Sequence, residues 1–122
     1  MGIEILKGQA FKAIDREVDR VPKFLTDMMS IPTTSPEGDH YLEFSKLASE
    51  FLSSYGISFE IHQIPLEYTD PRLPEIGRGR PRYVVIARIG DPDKMLIHFN
   101  GHYDVVSGGP GWRVTEPFKP RL

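Results

Sequence analysis

Cysteine is absent from the 122 residues. That excludes a disulfide scaffold and leaves histidine and carboxylates as the side chains able to hold a metal ion. No apolar run approaches the roughly 20 residues needed to cross a bilayer. Neither sign of charge dominates: 15 basic and 17 acidic side chains give a net charge of −2, so no strong field draws in nucleic acid or an anionic membrane. The N-terminal stretch lacks the apolar core of a secretory signal. Gly2 follows Met1, but Leu6 and Lys7 do not supply the hydroxyl residue of a myristoylation site. These absences predict a cytoplasmic protein with neither nucleic acid nor membrane as partner. Disorder is not expected, because 39% hydrophobic and 26% charged residues is ordinary globular usage. No internal repeat or low-complexity tract is visible.

The apolar residues that are present are patterned. Phe11, Ile14, Val18, Val21, Leu25 and Met28 recur at steps of three and four and predict a helix over residues 10–29, its stripe facing a core. Pro22 either kinks that helix or opens a second short one. Residues 30–39 read as a loop. A helix over residues 39–55 follows, with Asp39 as N-cap, Tyr41, Phe44, Ala48, Phe51 and Tyr55 on one face, and Gly56 as the left-handed residue that ends it.

Residues 57–64 alternate and predict a half-exposed strand near a sheet edge. A proline-rich connection over residues 65–81 leads to a β-branched strand over residues 83–89. Asp91 and Asp93 flank Pro92 in a turn. Residues 95–100 are more continuously apolar and predict a third, buried strand, paired antiparallel with the one before it. The expected fold class is α/β: two N-terminal helices followed by three strands, the helices covering the sheet.

The segment with chemical content is Gly101-His102-Tyr103-Asp104, leading out of the third predicted strand into a glycine-rich loop. Ligand sites in α/β sheets lie beyond the carboxyl ends of strands, and Gly101 would let the backbone leave the strand sharply. Residues two apart in extended chain share a face, ~6.6 Å apart. Asp104 can therefore bond one imidazole nitrogen of His102 while the other binds a metal, an arrangement that fixes the tautomer and raises ligand basicity. The same spacing also suits a structural His–Asp pair at a strand end.

The strand followed by Gly-His-Tyr-Asp-Val-Val resembles the signature of the two-zinc aminoacylase and carboxypeptidase family, which includes acetylornithine deacetylase, succinyl-diaminopimelate desuccinylase and carboxypeptidase G. Ser30-Ile31-Pro32-Thr33-Thr34-Ser35-Pro36 is similar to the family's turn after the first helix. Tyr55-Gly56-Ile57 is similar to its entry into the first strand, and Trp112 with Pro117-Phe118-Lys119-Pro120 to its later Trp and Pro-Phe-x-Pro segment. The resemblance runs over residues ~10–122 in order.

It implies a partial zinc-peptidase-like sheet layer, with residues 1–122 forming the N-terminal part of a truncated catalytic domain and the lid or dimerisation domain absent. It implies His102 as a ligand to one of two zinc ions and Asp104 as its orienter. The implied substrates are N-acyl amino acids or small peptides. In the family, a bridging Asp follows the Pro-Phe-x-Pro segment, and a glutamate base and further ligands come later; Leu122 ends the chain before them. The expectation is an N-terminal segment of a zinc amidohydrolase, inactive alone, which self-associates or pairs with a complementing C-terminal fragment. The alternative is a non-catalytic remnant or interaction module.

Other residues are set aside. His98 lies four residues, ~13 Å, before His102 in extended chain, too far to share a metal, and reads as a structural histidine. His62 beside Glu60 and His40 at a helix start read as solvated. Arg72, Arg78, Arg80 and Arg82 could clamp a phosphate or carboxylate, but read better as loop charges in solvent. Gly108-Gly109-Pro110-Gly111 lacks the strand–helix setting of a phosphate loop.

Overall fold

The computed structural model describes residues 2–94 and 97–122. It is a small mixed α/β domain. In order come α1 (Ile3–Asp15), α2 (Arg20–Met29), α3 (Tyr41–Ser54), β1 (Phe59–Ile64), α4 (Leu66–Thr69) and β2 (Arg82–Ala87), with 3-10 turns at Asp70–Arg72 and Glu75–Gly77 between α4 and β2. Among the described residues, no helix is long and apolar enough to cross a membrane.

α3 is the organising element. It ends as its sequence predicts: Gly56 takes φ +68°, its N–H donates to Ser53 O (2.9 Å), and the N–H of Ile57 donates to Leu52 O (3.1 Å), a paired closure that satisfies the last carbonyls. Its start differs. His40, at φ 59°, is the N-cap and gives no side-chain cap, while Asp39 turns away to an ion pair with Arg80. Ser45 and Ser49 are buried on α3 at no polar cost, because their hydroxyls donate to the carbonyls of Tyr41 (2.9 Å) and Ser45 (2.7 Å) one turn back.

β1 and β2 form an antiparallel pair in the register Phe59↔Ala87, Ile61↔Val85 and Gln63↔Tyr83. α3 packs on the sheet, and Phe59 and Ile61 face it across a shallow hollow that Ser49 and Ser53 also line. The opposite face is open, with Val84 41% and Ile86 37% exposed.

Two expectations need correction. The antiparallel partner of β2 is β1, and residues 97–100 form no strand: Ile97 is 72% and Phe99 89% exposed. Met95 and Leu96, the start of that predicted strand, lie outside the described residues. A continuously apolar strand needs cover on both faces, and a two-stranded sheet under one helix has no second layer to provide it. The second correction concerns the helical stripe. The N-terminal helical region is two helices with Pro22 in the first turn of α2, and the stripe faces solvent: Phe11 is 64%, Ile14 66%, Val18 67%, Val21 49% and Leu25 50% exposed. What docks α2 on α3 is Phe24, stacked on Phe51 at 3.7 Å and 7°, with Arg20 lying 4.2 Å over the ring of Tyr55. α1 buries no residue.

Candidate metal-ligating segment

The segment 102–105 is held by alternation. Tyr103 points inward and His102 and Asp104 outward. The ring of Tyr103 stacks on Phe44 at 4.4 Å and 12° and meets Tyr41 edge-on at 5.1 Å, both geometries that aromatic quadrupoles favour. Its hydroxyl donates to Tyr83 O of β2 at 2.9 Å.

The backbone on either side is clamped by the turn after α2. Thr33 Oγ1 donates to Tyr103 O (2.7 Å), the N–H of Val105 donates to Thr33 O (3.0 Å), and the N–H of Ser35 donates to Val105 O (2.8 Å). Thr34 and Val105 thereby form a single parallel bridge. Gly101 is not needed for a sharp exit: its φ is not positive, and a Cβ there would meet nothing within 4 Å.

On the outer side, His102 Nδ1 lies 3.0 Å from Asp104 Oδ1 and 3.0 Å from the carbonyl oxygen of Asp104. Both are acceptors, so the proton belongs on Nδ1 and the lone pair on Nε2. Nε2 has no hydrogen bond among the described residues, and the imidazole is 85% exposed against 43% for the Asp104 side chain. The arrangement can present one neutral imidazole to a cation, with its tautomer set by Asp104. Among the described residues, no group of three or more His, Cys, Asp and Glu is gathered. The hollows lined by α3 residues do not take in His102.

The other histidines stay apart from it. His62 Nε2 bonds Glu60 at 2.8 Å and His40 Nδ1 bonds Glu43 at 2.8 Å, all exposed. His98 is exposed and makes no hydrogen bond among the described residues. Trp112 donates to Gly108 O at 2.7 Å and folds the glycine-rich stretch onto itself.

Sequence reasoning missed four contributors. Tyr103 reads as a spacer between His and Asp, yet it is the anchor; an aromatic residue alternating with two polar ones was the available signal. Thr33 and Ser35 entered only as part of a motif. Arg82 was read as a solvated loop charge. It is half-buried at the start of β2, its guanidinium 4.8 Å over the Tyr41 ring, with Nη2 donating to Pro36 O and Gly77 O. That ties the turn after α2 to the sheet. Arg82 Nη1 and Glu37 Oε2 are buried without a partner among the described residues.

Burial raises the phenols of Tyr41 and Tyr103 above the usual tyrosine value. A hydrogen bond with Ser35 opposes the shift at Tyr41, and one with Ser45 opposes it at Tyr103. A raised acid binds its proton more tightly in the folded state, so its stabilisation is complete below the unfolded pKa of about 10 and is lost as pH rises through the folded value. The expected result is alkaline unfolding that begins above pH ~10. Denaturation midpoints measured from pH 8 to 11 should be flat and then fall; a midpoint still flat at pH 11 would show that these phenols ionise in place.

No protein-family model matches this chain, and no curated protein or solved structure is significantly similar to it.

Proposed function

We propose that this chain contributes one histidine ligand, His102, oriented by Asp104, to the metal centre of a zinc-dependent amidohydrolase of the deacylase and carboxypeptidase type. In this reading residues 1–122 belong to the N-terminal part of its catalytic domain, within a zinc-peptidase-like sheet layer. The substrate class is N-acyl amino acids or small peptides. The observation that supports it most is the bond from His102 Nδ1 to Asp104 at 3.0 Å, with an outward imidazole on a segment fixed by Tyr103.

The donor set fits one ligand position and not a whole site, since a catalytic zinc takes about three protein ligands and an open position. In a complete centre the zinc ions would lower the pKa of a bound water and polarise the amide carbonyl. This chain's share is narrower: His102 binds, Asp104 holds the tautomer, and the remaining donors come from a complementing segment. A second reading, a non-catalytic interaction module, is favoured by the exposed stripe on α1 and α2.

Titrating zinc into the isotopically labelled chain tests the proposal. The expected result is weak binding that broadens the His102 ring resonances, disappears in His102→Ala and weakens about 10–100-fold in Asp104→Ala. The chain alone should show no measurable hydrolysis of N-acetyl amino acids. Zinc binding indifferent to His102→Ala would end the proposal, and robust zinc-dependent hydrolysis by the pure chain would refute the incomplete donor set.

A further inference from the structure

Two glycines make room for one guanidinium. A Cβ at Gly38 would lie 1.7 Å from Arg82 Nη1 and 2.4 Å from its Cζ, and one at Gly77 would lie 3.0 Å from Nη2. The group is enclosed between the turn after α2 and the turn before β2. Its bonds there go to neutral carbonyls, Pro36 O and Gly77 O, and Nη1 is buried without a partner among the described residues. Burying a cation that no carboxylate neutralises costs stability. What the site gains is the planar fork and the flat face, which can hold two carbonyls and an aromatic ring in one fixed arrangement.

Both of those holds lead to the same short segment. The first runs through the turn. Pro36 follows Ser35, whose N–H donates to Val105 O at 2.8 Å, and the turn is closed by Gly38 N–H donating to Thr34 O at 2.8 Å. Thr33, in the same turn, bonds Tyr103 O and the Val105 N–H. The second runs through the ring. Arg82 lies 4.8 Å over Tyr41, and Tyr41 meets Tyr103 edge-on at 5.1 Å. The backbone on either side of Asp104 and the aromatic seat of its neighbour thus both rest on one side chain.

We propose that Arg82 is a positioning residue for the His102–Asp104 pair: by holding the Pro36 turn and the Tyr41 ring in register it fixes residues 103–105, and through them the imidazole. The inference deepens the metal-ligand reading and rests on it for its purpose, while the geometry it describes needs no metal.

Arg82→Lys and Arg82→Met test it in the isotopically labelled chain at pH 8. Lysine keeps the charge and loses the fork; methionine keeps the stem and leaves no charge to bury, so the pair separates the fork from the charge and from simple misfolding. Three readouts are taken: the β1–β2 amide resonances, the tautomer-sensitive ring nitrogen shifts of His102, and zinc affinity. In both variants the β1–β2 amides should stay at their wild-type positions away from residue 82. The His102 ring nitrogens should move from the Nδ1–H form towards a mixture of tautomers, and the Kd for zinc should rise about 10-fold, the low end for losing support behind a metal ligand. Arg88→Gln is the control, because that side chain is 73% exposed in an ion pair with Glu60; it should change neither His102 nor zinc affinity. Wild-type ring shifts in both Arg82 variants overturn the proposal. So does a change confined to Arg82→Met, which would make the charge and not the fork responsible, or loss of the β1–β2 amide pattern together with the ring shifts in both variants, which would make Arg82 a general structural residue. A wild-type chain that takes no zinc at His102 ends the metal reading instead, and the tautomer comparison decides this inference by itself.

Discussion

Replacing Tyr103 with alanine should destabilise the fold by about 3 kcal/mol, the low end of the cost of emptying a large aromatic site, because this ring is only half-buried. The ring leaves Phe44 and Tyr41 without a partner, and the hydroxyl that ties the segment to β2 goes with it. Tyr103→Phe keeps the ring and loses only the hydroxyl's bond to Tyr83 O, so it should cost about 1 kcal/mol. Chemical denaturation separates the two variants. The alanine variant should also free His102 from Asp104, seen as a change in the tautomer-sensitive nitrogen shifts of the imidazole. If Tyr103→Ala matches the wild type in both readouts, the anchoring role assigned here is wrong.

The second large effect is expected at Gly77. A Cβ there would sit 2.3 Å from the carbonyl oxygen of Pro36 and 3.0 Å from Arg82 Nη2. The first of these obstructions is backbone, in the turn that Arg82 fastens to β2, so it cannot swing aside. Gly77→Ala should therefore cost about 3 kcal/mol, the upper part of the range for an overpacked site. Gly101→Ala, whose Cβ enters open space, is the matched control and should fall within about 0.5 kcal/mol of the wild type. Equal stabilities for the two variants would mean that the turn carrying Pro36 and the Gly77 turn do not pack as closely as described.

Local patterning was legible in the sequence wherever one element could satisfy itself. α3 shows its apolar spacing and its closing Gly56; β1 and β2 show alternation and β-branching; the Asp91 turn shows its side-chain bond to the N–H of Asp93 at 3.1 Å. What could not be read depended on partners far along the chain. The apolar stripe of α1 and α2 announces a face to be covered and not what covers it, and in this chain nothing among the described residues does. The apolar run ending at Asn100 carries strand propensity, but so apolar a strand needs an edge to pair with and cover on both faces, and those are properties of the whole assembly.

The candidate site divides in the same way. Spacing alone was enough to bring His102 and Asp104 together, because residues two apart in extended chain share a face. Spacing said nothing of what makes the chain extended there. That comes from Thr33 and Ser35, seventy residues upstream by the Thr33–Tyr103 bond, and from the aromatic seat on α3. Arg82 was misread for the same reason: its environment is built by Tyr41, Pro36 and Gly77, none of which is adjacent to it in sequence.

The bridge between Thr34 and Val105 has a kinetic consequence. Joining them closes most of the polypeptide into one loop, and the entropic cost of that closure is met only after α3 and the β1–β2 hairpin exist to receive it. The histidine segment should therefore dock only after α3 and the hairpin have formed.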